Sequence, residues 1–322
     1  MEVFYLVLNQ MLLMAMLIVA GYTLRKKDIL PKGAGAILSK TETFLFVPAL
    51  NLINQINKCT PETFRENSRL MLYGLVLVVV AIGLSYPLSR IFVPKTKGDA
   101  KLIYRQNVYK YAMAFSNYGF MGNFLILGVW GEDTFFKYTM FTFPLTIFCA
   151  SWGLYVLVPK EKSAGLLQNL KKGLLTPPLI ALVTGIILGL VGAKAFIPTF
   201  LLNALDNASK CMGPVAMVLA GVVIGEYDIK KLIGNKKVYL ASLFRLIIIP
   251  AIVLFALKAV GTLDEILCLV LVAFACPLGL NTIVYPATYG GETETGASMA
   301  VISNLLAIIT LPIMYYVFMV LI

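Results

Sequence analysis

Residues 115–123 read FSNYGFMGN and sit inside an apolar stretch long enough to cross a membrane. Two glycines, two asparagines and a serine are poor helix formers. In lipid, a broken helix leaves backbone N–H and C=O groups with no water to bond, so a break at that depth must be buried in protein or face a wet cavity. A second interruption, ACPLGLN over residues 275–281, is followed by TIVYP and lies in a later apolar stretch. Pro277 lacks an N–H and clashes with the preceding turn, while Gly279 accepts almost any backbone angle. Both stretches are therefore expected to unwind near mid-membrane.

The rest of the chain sets the class. Of 322 residues, 59% are hydrophobic and 13% charged, and the mean hydropathy is +0.86. Apolar runs of about twenty residues recur from end to end, twice the length of a barrel strand. The expected fold is an all-α polytopic membrane protein, because helices satisfy their own backbone in lipid. The runs place ten helices near residues 4–24, 36–57, 69–92, 106–130, 135–158, 174–193, 200–225, 237–258, 264–288 and 297–321. The first follows MEVFY rather than a basic segment and ends in GYTLRKK without a small-residue cleavage site, so it reads as a retained helix.

Lys and Arg gather in the odd-numbered loops. These hold Arg25, Lys26, Lys27 and Lys32; Arg90, Lys95, Lys97, Lys101 and Arg105; Lys160, Lys162, Lys171 and Lys172; and Lys230, Lys231, Lys236 and Lys237. The even-numbered loops hold only Lys58, Arg65, Arg69, Lys137, Lys194 and Lys258. Basic loops stay in the cytoplasm, which makes the chain a multi-pass cell-membrane protein with both termini extracytoplasmic.

The longest connection, VPKEKSAGLLQNLKKG over residues 158–173, falls between the fifth and sixth spans. It divides the chain into a first five-helix repeat at 1–158, a cytoplasmic linker at 159–173 and a second repeat at 174–322. An odd number of spans per half gives the two repeats opposite orientations. Gly131-Glu132 recurs as Gly291-Glu292, Asn117 as Asn281 and Pro48 as Pro214, each at an offset of roughly 160 residues.

Composition also excludes functions. The net charge of +11 reflects loop topology and not a nucleic-acid surface. The absence of histidine removes the commonest metal ligand and acid–base catalyst together. Cys59, Cys149, Cys211, Cys268 and Cys276 form no CxxC pair and fall mostly within spans, as buried free thiols do. No enzyme chemistry, catalytic residue, metal or cofactor is expected.

Each break ends one half-helix and starts another, and the new N-terminus carries unpaired N–H groups with partial positive charge. Two such starts meeting across a pseudo-twofold axis make an anion site without a full charge. The candidate binding residues are Ser116, Asn117, Gly119, Gly122, Asn123, Pro277, Gly279, Asn281 and Thr282. The expected partners are a small organic anion, a carboxylate by this chemistry, and membrane lipid.

At these residues the sequence resembles the auxin efflux carrier family, including its bacterial malate or malonate permease-type members. The matching pieces are GYTLRKKDILPKGAGAILSKTETFLFVPAL at 21–50, FSNYGFMGN with WGED after it, and CPLGLNTIVYPATYGGETETGASMAVISNLLAIITLPI at 276–313. The resemblance spans the whole chain. It implies two inverted five-helix repeats, similar to the sodium/bile-acid symporters. Helices one, two, six and seven would form a scaffold and the others a transport domain that slides like an elevator, with broken helices four and nine crossing at the substrate. It also implies that Asn117 meets the substrate carboxylate, and allows a homodimer through the scaffold helices. One departure is Phe124, where the family commonly has proline, so the first break is expected to rest on Gly119 and Gly122.

Charged residues within spans are costly and functional by default. Lys40 and Glu42 are expected to snorkel from the start of span two. Asp206 and Lys210, at i and i+4 in span seven, can pair, and with Arg245 of SLFRLIIIP they are candidates for gating or coupling. No acidic residue near the break of span nine offers a sodium site. Proton coupling through Asp206 or another buried carboxylate, and passive uniport, both stay open. Phe115, Tyr118, Phe120 and Tyr285 could bound a pocket for an aromatic acid, although aromatic residues in spans are mostly packing. Because a binding site alone does not demonstrate transport, a ligand sensor or anion channel on the same fold is the alternative function.

Overall fold

A computed structural model describes residues 2–159, 166–289 and 291–322. Residues 160–165 of the linker placed at 159–173, Lys160 and Lys162 among them, lie outside the described residues. The helices are α1 (Glu2–Lys26), α2 (Ala34–Lys58), α3 (Pro61–Phe92), α4 (Ala100–Ala114), α5 (Tyr118–Leu157), α6 (Leu166–Leu174), α7 (Pro177–Leu190), α8 (Thr199–Gly225), α9 (Lys236–Ala259), α10 (Asp264–Ala275), α11 (Asn281–Tyr289) and α12 (Glu294–Leu321). Seven of them, α1, α2, α3, α5, α8, α9 and α12, are long and apolar enough to cross a membrane. The 14 residues of α7 rise only about 21 Å, short of a bilayer core of about 30 Å. Among the described residues no strand forms apart from one isolated bridge.

The α5 segment is a hairpin. Tyr138 Oη donates to the carbonyl of Tyr118 at 3.1 Å, whereas 20 residues of straight helix would part them by about 30 Å. The reversal falls at Gly131, whose φ of 79° and ψ of −170° lie outside the range open to L side chains. WGED is thus the turn between two antiparallel arms.

Helices pack in two sets. In one, α1 lies against α8, α2 against α7, and α8 against α2. In the other, α3 packs on α4 and α5, while α9 packs on α10 and α12. Contacts of α1 with α12 and α5 join the sets.

Polar links tie connections at each end. Lys26 Nζ donates to the Tyr227 carbonyl at 2.8 Å, the Gly33 N–H to Glu226 at 3.1 Å, and Lys237 Nζ to the Phe92 carbonyl at 2.7 Å. At the other end Lys58 pairs with Asp133 at 2.7 Å and Glu132 at 3.6 Å, and Lys137 pairs with Glu265.

Candidate functional site

The two interruptions meet. The helix α4 ends at Ala114, and Phe115 turns extended, with φ −122° and ψ 135°. The helix α10 ends at Ala275, and Cys276 turns extended in the same way, with φ −61° and ψ 151°. Ser116 and Leu278 form the isolated antiparallel bridge, and Asn117 N–H donates to the Pro277 carbonyl at 2.7 Å. That bond pairs a donor and an acceptor left over where the two helices unwind, and the Leu278 N–H is met by Ser303 Oγ at 3.0 Å, which offsets the cost of about 1–3 kcal/mol per unpaired buried group. Gly279 permits the approach: a Cβ there would lie 3.1 Å from the Ser116 carbonyl oxygen.

The first break sits ahead of Gly119 and Gly122, not on them. Both glycines belong to a π-helical turn, Tyr118–Gly122, that opens the second half. The interruption is imposed by the partner segment: Ser116 Oγ donates to the Ala273 carbonyl at 2.6 Å. The Phe124 ring, standing where the family favours proline, lies against Gly213 of α8.

Beside the crossing is a cavity of about 240 Å³. Its walls include Gly119, Asn123 and Asn281 of the predicted set, together with Tyr118, Phe120 and Tyr285. Ser116, Asn117, Pro277, Gly279 and Thr282 lie behind them in the crossing itself. Ser116 spends its hydroxyl on Ala273, and Thr282 donates to the Gly279 carbonyl at 2.9 Å. Phe115 is packed away against Tyr111 and Trp152.

Among the described residues no charged side chain lines this cavity. Asn281 Nδ2 donates to Tyr111 Oη at 3.0 Å and lies 3.4 Å from Cys149 Sγ, with Tyr111 and Cys149 themselves 3.1 Å apart. Asn51 Nδ2 donates to the Pro178 carbonyl at 3.0 Å. Asn123 is the wall amide that makes no hydrogen bond among the described residues, which leaves it free for a ligand. The two half-helix starts are unequal donors. In α11, the N–H groups of Thr282, Ile283 and Val284 already bond to Gly279 and Leu280, whereas the first turn at Tyr118–Gly122 leaves its opening N–H groups without intrahelical acceptors.

Sequence reasoning missed much of the wall. Ser39, Thr43 and Asn51 stand at i, i+4 and i+12 on α2, and Thr139, Thr142 and Thr146 at i, i+3 and i+7 on α5. Polar residues at helical spacing inside an apolar span form one face, and that stripe was the available signal.

The charged candidates separate. Asp206 and Lys210 pair at 2.7 Å as their spacing predicts, but with largely exposed side chains away from the cavity. Arg245 is 1% exposed, on a π turn of α9. Its Nη1 donates to Met113 O at 3.2 Å and its Nη2 to Ala273 O at 3.5 Å, with Phe274 beneath the guanidinium at 5.3 Å. Glu42 corrects the snorkelling expectation: it is fully buried, and neither carboxylate oxygen has a hydrogen-bond partner among the described residues. Lys40 is exposed.

A helical membrane bundle whose interrupted segments cross beside a cavity walled by neutral polar and aromatic residues belongs with membrane transporters. The family model described as membrane transport protein, that of the auxin efflux carrier-like permeases, matches residues 6–170 and 163–315, and the chain belongs to this family. A comparison with curated proteins finds no match.

Proposed function

We propose that the chain is a secondary carrier moving a small organic carboxylate across the cell membrane. The observation that carries this reading is the crossing of α4–α5 with α10–α11 beside a cavity of neutral donors, among them the free Asn123 amide and the opening N–H groups of the Tyr118–Gly122 turn. Neutral donors and helix starts hold an anion without the desolvation cost of a buried cation, and they release it again. A volume of about 240 Å³ is below the roughly 300–1,000 Å³ of drug-sized sites, which favours a compact acid.

Ten crossings follow when the α5 hairpin is counted as two arms, the first continuing α4, and when α10 and α11 are counted as one interrupted span. The links among the first, third and seventh connections, and among the second, fourth and eighth, support alternating crossings. They agree with inverted repeats at 1–158 and 174–322 and with both termini extracytoplasmic. The packing sets support a scaffold of α1, α2, α7 and α8 against which the crossing slides as an elevator.

The test is a thermal-shift screen of malate, malonate and an indole acid on purified protein. Stabilisation by at least one acid, diminished in Asn123→Ala, is expected. Equal shifts in variant and native protein would remove the cavity from the mechanism.

A further inference from the structure

The first half-helices α4 and α10 both end inside the bundle, and each C-terminus carries about half a negative charge on carbonyls with no intrahelical donor. Two such ends brought together in an apolar interior repel each other unless a cation lies between them. Arg245 is that cation. It reaches the last turn of both helices at once, through Met113 O at 3.2 Å and Ala273 O at 3.5 Å. Among the described residues it forms no ion pair with an acid, and it does not line the cavity. Its stabilisation comes from the two helix ends and the Phe274 ring. In carriers with broken helices, unwound carbonyls and half-helix C-termini are where coupling Na⁺ ions are held.

We propose that Arg245 is a built-in counter-cation: a positioning residue that holds the two carboxyl ends together in place of a bound sodium ion, so that carboxylate binding by this chain needs no metal cation. The binding half of this statement rests on the carrier reading; the cation half concerns the crossing itself and has its own readout. A guanidinium is suited to the task because its fork of donors spans two carbonyls while its charge is permanent.

The experiment measures melting of the purified chain, with and without malate, in sodium, potassium and N-methylglucamine salts. Native protein is expected to melt alike in all three and to be stabilised by malate equally. Arg245→Ala opens a space between the two carbonyls. It is expected to melt lower, to bind malate at least about tenfold more weakly, and to recover both on addition of millimolar guanidinium or sodium, which native protein ignores. Arg245→Lys, which keeps the charge, is expected to bind malate without added cation, and it carries the test if the alanine variant does not fold. Native melting that requires sodium would overturn the proposal, as would an Arg245→Ala loss that no cation repairs, or failure of Arg245→Lys to bind malate while folded. If malate stabilises no form, the carrier reading fails for that acid, and cation-dependent melting of Arg245→Ala alone still decides the assignment.

Discussion

Asn117 and Pro277, 160 residues apart in the chain, are joined by a 2.7 Å hydrogen bond from the N–H of one to the carbonyl of the other. That bond sits where both helices have come undone, so each interruption is the partner of the other. A wedge at the crossing should therefore damage both. Gly279→Val is expected to cost about 1–3 kcal/mol, the range for overpacked sites, and to abolish stabilisation by carboxylates. Gly119→Ala meets no atom within 4 Å and should leave melting unchanged while crowding the cavity. Thermal unfolding of the two variants with and without malate separates the effects.

The wall amides should differ in kind. The Asn123 side chain has no hydrogen-bond partner among the described residues, so Asn123→Ala is expected to weaken carboxylate binding by about tenfold, near 1.4 kcal/mol, with melting unaltered. Asn281 also holds Tyr111, so Asn281→Ala should lower both binding and melting. Titration of the acid followed by differential scanning fluorimetry reads both quantities.

Glu42 is a stability liability in this conformation. Among the described residues its two buried oxygens have no partner, and such groups cost about 1–3 kcal/mol each. Glu42→Met, similar in volume and apolar, is expected to raise the melting temperature. A drop would mean that the carboxylate is held by a partner absent from this arrangement.

Lys58 on α2 reaches Asp133 and Glu132 at the α5 turn, linking the two packing sets at one end of the bundle. Asp133 is 83% exposed, so Lys58→Ala should cost less than about 1 kcal/mol. Geometry matters more than energy here. Cysteines placed at positions 58 and 133 and joined by a short bis-methanethiosulfonate linker, long enough to replace the lysine side chain, should arrest flux if the sets slide, and reduction should restore it. Unchanged flux in the cross-linked protein would argue against relative movement.

The sequence made the helical class, the gap between the runs ending at 130 and starting at 135, and the amides of the crossing legible, because glycine, proline and asparagine stand out within apolar runs. Other features were hidden for physical reasons. The helix α4 starts at Ala100, capped by Asp99, whose carboxylate accepts from the Lys101 N–H at 2.8 Å. Hydropathy delayed its start to 106 because Lys101 and Arg105 are charged. The position of the first break was misjudged because its cause is a segment far along the chain, through Ala273 and Pro277, and not the glycines beside it. Glu42 looked like an interfacial acid because sequence does not reveal that α8 and α7 pack over the π turn that carries it. The threonines of α5 drew no reading from the sequence, since a hydroxyl in a span can bond its own helix, as Thr142 does to Tyr138 O at 2.8 Å.

Reconstitution into liposomes puts the central claim to its most direct test: uptake of labelled malate by the native chain, with Asn123→Ala alongside. Saturable uptake that falls markedly in the variant is the result expected of a carrier whose crossed helices hold the anion. Ohmic anion current, binding without flux, or uptake identical in the two proteins would contradict it.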